Sequence, residues 1–259
     1  MVYRDASRPA CDPGGVKGRV LAGLFVLGLV VILLRATAGG RDGPSATSPG
    51  PSPAVPKIAA PPSARPSLPG HPPVIDHVPT RRPVVFLTMD DGWEKDPAFP
   101  ALLRKLRVPV TLFLTDRAIA GRYAYFRALR DAGADIEDHT LTHRTLTTLG
   151  ASAQHEEICT AAARYAKEFG HRPTLFRPPG GTYDATTRAE ARACGIRAIV
   201  QWRDSVQLNG RIKYQAARLR PGDIILMHFR PGLAADFPRV LARIHAQGMQ
   251  LGRLADYVG

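Results

Sequence analysis

Lysine is scarce in this chain: the 35 basic residues comprise six lysines and 29 arginines. Alongside abundant Ala, Gly and Pro, that imbalance is what a GC-rich genome leaves behind and does not by itself define a basic binding surface. There is also no nucleic-acid-binding motif and no dense Lys/Arg helix, so a net charge of +13 gives no reason to expect a nucleic-acid partner. Cysteines number three, which leaves room for one bridge at most. Long apolar runs are missing too, with one exception, the fifteen apolar or glycine residues from Val20 to Leu34. That run is short of the ~20 residues a spanning helix needs.

The exception follows Arg4, Arg8, Lys17 and Arg19, and a basic region before an apolar one is the form of an export signal. Val16 to Ala38 reaches spanning length if Lys17, Arg19 and Arg35 snorkel, and Ala36-Thr37-Ala38 offers a small-x-small cleavage site. Arg35 between the two disfavours processing. The expectation is therefore a basic cytoplasmic N-terminus over 1–19 and a signal anchor over 20–38, with the remainder outside the cell membrane; secretion after cleavage is the alternative. Gly39 to Thr80 holds twelve of the 24 prolines and is expected to be a disordered, semi-rigid linker over 39–80. His71 and His77 within it read as solvated. Cys11 then stays inside while Cys159 and Cys194 are exported together, where an oxidising compartment permits a bridge, although two free thiols would give the same sequence. Net charge divides as +3 over 1–35, +1 over 36–80 and +9 over 81–259, so the excess lies in the exported part and suits an anionic envelope polymer.

From Arg81 to the end at residue 259, short apolar runs alternate with amphipathic stretches. Strands are expected at Val84–Thr88, Val110–Thr115, Ala134–Glu137, Thr174–Phe176, Ala198–Trp202, Ile224–Phe229 and Met249–Leu251. Helices are expected at Ala98–Arg107, Tyr123–Asp131, Ala151–Phe169, Ala185–Ala193 and Ala234–Ala246. Regular β-α alternation predicts an α/β fold with a parallel sheet, and about seven units predict a distorted, nearly closed (β/α) barrel. Polar residues cluster where these strands end: Asp90 and Asp91, His139 and His143, Arg177, Asp204, and His228. The carboxy-terminal ends of barrel strands form the active-site face, so five separate strand ends aim ionisable groups at one place.

Thr88-Met89-Asp90-Asp91-Gly92-Trp93 sets two adjacent carboxylates at the end of the run Val84-Val85-Phe86-Leu87. Such a pair asks for a cation, an arginine or both. His139-Thr140-Leu141-Thr142-His143 supplies two imidazoles four apart, and two His with one carboxylate are a common catalytic zinc set. Glu137 and Asp138 just before them either orient an imidazole or cap the loop. In Phe176-Arg177-Pro178-Pro179-Gly180-Gly181-Thr182-Tyr183-Asp184 a fixed arginine can keep a carboxylate ionised, while the glycines let backbone N–H groups approach a ligand. Leu226-Met227-His228 leaves an imidazole at the end of a strand, suited to donate a proton. His155, His171 and His245 have no companion and read as surface residues.

In that order, the Asp-Asp-Gly of Thr88–Gly92, His139-Thr140-x-x-His143, Arg177-Pro178-Pro179-Gly180 and Leu226-Met227-His228 resemble the motifs of the polysaccharide deacetylases, the NodB-homology enzymes of carbohydrate esterase family four. The resemblance covers roughly residues 83–252 and implies a divalent metal, usually zinc with cobalt or manganese as substitutes, held by Asp91, His139 and His143. It implies Asp90 as general base, Arg177 as the residue positioning it, and His228 as general acid. By the same resemblance Gly180 would offer a backbone N–H to the oxyanion, and Trp202 and Leu226 would shape the pocket for the acetyl methyl. The chain departs from the family pattern at Met89, usually Phe, and at Gly180, commonly Tyr. Around Trp202-Arg203-Asp204-Ser205-Val206-Gln207-Leu208 the expected Asp-Trp ending is missing, and Asp204 is the candidate there for tuning His228.

These residues imply a hydrolase acting on the N-acetyl groups of amino sugars in an extracellular polymer, peptidoglycan first and chitin-like oligosaccharide second. An acetylated polysaccharide is the expected partner, a membrane contact follows if the signal stays uncleaved, and a monomer is expected. The alternatives are an O-acetyl polysaccharide esterase and a non-catalytic cell-wall glycan-binding domain.

Overall fold

The computed structural model describes residues 54–60, 70–207 and 210–258. The expected signal anchor and the first part of the expected linker lie outside them. Among the described residues no helix is long and apolar enough to cross a membrane.

Among the described residues ten strands form one sheet. In chain order they are β1 (Val74–Ile75), β2 (Val84–Asp91), β3 (Val110–Leu114), β4 (Ala134–Asp138), β5 (Leu175–Phe176), β6 (Ala198–Val200), β7 (Asp204–Val206), β8 (Ile212–Lys213), β9 (Ile224–His228) and β10 (Gln250–Leu251). Their spatial order is β1-β6-β5-β4-β3-β2-β9-β7-β8, with β10 beside β2. Every ladder is parallel except the β7–β8 hairpin. Among the described residues seven α-helices accompany them: α1 (Phe99–Leu106), α2 (Asp116–Ile119), α3 (Tyr123–Asp131), α4 (Ala151–His155), α5 (Ala161–Phe169), α6 (Ala185–Ala193) and α7 (Leu233–Ala246). The helix expected as one piece over Ala151–Phe169 is interrupted by a π-turn at Glu156–Thr160 between α4 and α5.

Strand alternation sorts the core into two layers. On β2, Val85, Leu87 and Met89 face outward and pack with Leu112, Leu114, Ile225 and Met227 against helix residues such as Phe99, Phe126, Tyr165 and Phe237. Val84 and Phe86 face inward with Phe113, Leu175, Ala198, Val200 and Ile224. The carboxy-terminal tail plugs the inner layer from below: Leu254, Tyr257 and Val258 join it, and the Tyr257 ring meets Phe86 edge-on at 4.9 Å.

The sheet curls into a partial barrel, and among the described residues no ladder joins its two ends. Val200 on β6, next to one end strand, and Asp204 on β7, next to the other, are four Cα steps apart, roughly 14 Å when fully extended. The gap below is spanned by residues expected in the linker. Val74 and Ile75 pair with Ile199 and Val200 on β6, while His77 bridges Asp223 and the Val78 N–H donates to the Gly222 carbonyl at 2.8 Å. The expected 39–80 spacer is therefore not all spacer: its last residues stitch the barrel seam, since a buried sheet edge must find partners for its N–H and C=O groups. Gly222 makes the close approach, with φ +91° and a position where a Cβ would stand 1.9 Å from the Val78 carbonyl oxygen.

β4 and β5 share only the register pair Asp138–Phe176, and a side chain extends that short ladder. Glu137, buried inside, accepts the N–H groups of Thr174 at 2.9 Å and Leu175 at 2.8 Å. Burial outweighs these bonds and raises its carboxyl from 4.5 to about 8. Between those two pH values the folded chain binds more protons than the unfolded one, so this group's contribution to stability falls as pH rises from about 4.5 to about 8. Glu137→Gln keeps a carbonyl acceptor and has no charge to bury. In urea titrations its stability relative to the native chain should rise between pH 5 and pH 8 by on the order of a few kcal/mol; a pH-independent difference would contradict the assignment.

Candidate metal centre and active site

A regular strand would send Asp90 inward and Asp91 outward. Asp90 follows Thr88 and Phe86 to the interior and is 3 % exposed. Asp91 adopts φ +76°, and this left-handed turn rotates its carboxylate back to the same mouth. Gly92 makes the turn feasible. It has φ +95°, and a Cβ there would lie 2.7 Å from Ile119 Cγ2 and 3.0 Å from the Phe126 ring.

The imidazoles arrive on a loop with two more left-handed residues, Thr140 at φ +74° and His143 at φ +64°. Such non-glycine conformations cost on the order of 1–3 kcal/mol each and persist where the surroundings hold them. Asp138 caps the loop, its Oδ1 accepting the Thr140 N–H at 2.7 Å, and Thr140 Oγ1 accepts the His143 N–H at 3.0 Å. Of the two roles open to Asp138, capping is the one it plays. The group that orients His139 is the Arg177 carbonyl, 2.6 Å from Nδ1. That bond places the proton on Nδ1 and leaves the Nε2 lone pair facing Asp91.

Asp91 Oδ1 lies 3.5 Å from His139 Nε2 and 3.1 Å from His143 Nε2, yet it is buried with no hydrogen-bond partner. Burial works to raise its carboxyl, but the two imidazoles outweigh it and hold it well below the ordinary range. His143 moves the other way, raised by Asp91. Three donor atoms within 4.8 Å of one another, one an orphaned carboxylate oxygen and one a fixed imidazole lone pair, fit a divalent cation with open positions left over.

Asp90 is held differently. Its Oδ1 accepts from Arg177 Nη1 at 2.6 Å, while Oδ2 sits 3.8 Å from His139 Nε2. Arg177 is fully buried. It also donates to Thr88 Oγ1 at 2.9 Å and to the Val200 and Gln201 carbonyls at 3.0 and 3.1 Å, and its guanidinium lies 4.3 Å from the centre of the Phe113 ring. Burial lowers its pKa and Asp90 opposes that shift.

His228 is in register with Asp90 across the β2–β9 ladder, which puts both side chains on the inner face at the same height. Leu226, two residues below, is buried on that face. Trp202 stacks toward Arg177, 5.6 Å from guanidinium to ring. Gly180 sits in the loop after β5 with φ +62° and open space around it. Asp204 alone is not brought to the site. It is in register with Ile225, on the outward face, where its Oδ1 accepts the Gln215 N–H at 2.8 Å. Burial, with Asp223 nearby, raises its carboxyl to about 6. The expected tuning of His228 by Asp204 is thus replaced by a role in the seam.

Sequence reading missed Glu157. Its Oε2 accepts the Thr142 N–H at 2.8 Å, its Oε1 accepts the Thr142 hydroxyl, and its carbonyl accepts the Leu141 N–H at 2.8 Å. A glutamate inside an apparently continuous helix gives no signal of this; only the π-turn aims it at the loop.

Residues 77–199 match the family model described as polysaccharide deacetylase. An uncharacterised protein of Streptomyces coelicolor is 46 % identical over 72 % of this chain and 78 % of its own length. A peptidoglycan-N-acetylmuramic acid deacetylase of Bacillus subtilis is 27 % identical over 58 % of this chain and 61 % of its own. Among solved structures, a family 4 carbohydrate esterase from Streptomyces lividans in complex with acetate is 30 % identical, covers 65 % of this chain and 91 % of its own, and superposes with a TM-score of 0.57.

The turn at Asp91 gives a direct test of the ligand set. Gly92→Ala is expected to displace Asp91 and weaken zinc binding by roughly 10- to 100-fold in a chelator competition, with the far-UV spectrum retained. Unchanged affinity in a folded variant would show that Asp91 is not held by this turn.

Proposed function

The chain belongs to the polysaccharide deacetylases of carbohydrate esterase family 4, and on that premise we propose that it is a metal-dependent hydrolase removing N-acetyl groups from amino sugars of an extracellular polysaccharide. Peptidoglycan is the first substrate in this reading and chitin-like oligosaccharide the second. The division of labour between neighbouring carboxylates carries it: Asp90 Oδ1 is taken by Arg177 at 2.6 Å, whereas Asp91 Oδ1 has no hydrogen bond and faces two imidazoles.

Asp91, His139 and His143 would hold the cation, zinc first, which when bound polarises the acyl carbonyl and makes a water acidic enough to attack. Asp90 takes the proton from that water on Oδ2. Its other oxygen is fixed by Arg177, which keeps the carboxylate aimed. As the new C–O bond forms, the Gly180 N–H donates to the developing oxyanion. His228, at the same height on the inner face, gives a proton to the sugar nitrogen as the C–N bond breaks. Acetate and a free amine leave. Trp202 and Leu226 enclose the methyl group. The basic-then-apolar amino terminus supports an exported enzyme tethered to the membrane, and a bridge between Cys159 and Cys194 suits an oxidising compartment.

Metal content and acetate release should be measured together on peptidoglycan, N-acetylglucosamine oligomers and acetylated xylan. Asp90→Asn is expected to retain zinc and lose acetate release by ~10²- to 10⁴-fold, whereas His143→Ala loses both. Full activity in Asp90→Asn would remove Asp90 as the base. Release from xylan alone would replace the amide reading by an ester one, and glycan binding without acetate release from any of the three would leave a binding domain.

A further inference from the structure

The loop that carries both imidazoles is strained at Thr140 and His143, so something outside it must hold it in place. Glu157 takes both N–H groups between those residues, Leu141 on its carbonyl and Thr142 on its carboxylate, together with the Thr142 hydroxyl. It is buried, 4 % exposed, so these bonds are not shared with bulk water. Glu157 owes its aim to the π-turn Glu156–Thr160, a widened turn of a kind that recurs at functional sites.

The π-turn is in turn pinned from the side. Cys159, two residues after Glu157, is bridged to Cys194 at the carboxy-terminal cap of α6. Two further contacts line the same seam: Thr187 Oγ1 donates to Gln154 Oε1 at 2.6 Å, and His155 Nδ1 lies 2.9 Å from Glu190 Oε2. His155 is thus a surface residue as expected from sequence, but it has a companion in Glu190. The result is a continuous physical path from α6 through the cystine, the π-turn and the Glu157 carboxylate to Thr142, the residue immediately before His143.

We propose that Glu157 is a positioning residue for the metal loop and that the Cys159–Cys194 bridge works through it, holding the π-turn so that its carboxylate meets Leu141–Thr142. This rests on the metal-site reading given above and adds one positioning residue and a cystine to it. The bridge is then part of the centre's preorganisation as well as of the fold's stability.

The test is zinc affinity by chelator competition, with the visible absorption of the cobalt-substituted protein as a geometric readout, on the full chain. Glu157→Gln, which cannot accept both Thr142 bonds, should weaken zinc binding by roughly tenfold or more and alter the cobalt spectrum. The Cys159→Ser/Cys194→Ser pair should weaken it ~3- to 10-fold, and combining the three substitutions should be no worse than Glu157→Gln alone. Serines are used instead of a reductant because freed thiols would stand with His155 as three donors within 4.8 Å and bind metal themselves. Thr142→Val, which removes one donor and leaves Glu157 intact, should act in the same direction and serves if Glu157→Gln does not fold. Glu168→Gln, which cuts the surface pair with Arg127, should change nothing. Unchanged affinity and spectrum in folded Glu157→Gln and Thr142→Val, or full additivity of the serine pair with Glu157→Gln, would overturn the proposal. Asp91→Ala in the same assay separates the two claims: if it abolishes binding while the others do not move it, only this inference fails, and if it too leaves affinity unchanged, the metal-site reading fails with it.

Discussion

A single buried ion pair organises the barrel interior. Arg177 reaches from the end of β5 to Asp90 on β2 and on the way satisfies two carbonyls at the end of β6. Buried pairs add little net stability, because desolvating two charges offsets most of their attraction. What the pair does supply is orientation. With one oxygen locked and the guanidinium itself fixed by three further acceptors and aromatic contacts, Asp90 can present only its other oxygen. The Arg177 carbonyl meanwhile sets the His139 tautomer, so one residue fixes the proposed base through its side chain and a proposed metal ligand through its backbone.

That arrangement depends on closure. Arg177 donates to Val200 and Gln201, which lie at the sheet end that the seam must bring near β7 and β9. The strap of Val74 to Val78, joined to β6 on one side and to Gly222–Asp223 on the other, fixes that end. The turn at Gly222 admits it only because there is no side chain in the way. Below, the tail around Tyr257 fills the interior, so the polar mouth is the one end of the inner layer that side chains of Leu254–Val258 do not cover.

Much of this was legible beforehand where chemistry and periodicity coincide. Apolar runs gave β2, β3, β4 and β9 within one to three residues, and α3 and α6 at their full limits, because each is a strong local pattern. Asp90, Asp91, His139, His143, Arg177 and His228 stand out in the sequence as ionisable groups at strand ends, and the fold brings Asp91, His139 and His143 together, pairs Asp90 with Arg177 and sets His228 in register with Asp90. What escaped has physical reasons too. The strap is a two-residue strand in a proline-rich stretch, and its pairing comes from the seam, not from its own pattern. Asp204 follows an apolar run like the other site residues, but its register with Ile225 turns it to the outer face, and alternation over a three-residue strand is too short to read. The π-turn leaves no compositional trace, so nothing in the sequence singles out Glu157. Cys159 and Cys194 were a pair whose bonding spacing cannot decide; the packing of α6 on the π-turn decides it.

In the proposed site, adjacent carboxylates hold different jobs, Asp91 on the metal and Asp90 on Arg177. Anomalous diffraction at the zinc edge from crystals grown with zinc tests it directly. The expected map has one peak within coordination distance of Asp91, His139 and His143, about 2.0–2.2 Å, with Asp90 Oδ1 still bonded to Arg177. A peak ligated by Asp90, with its bond to Arg177 broken, would contradict it.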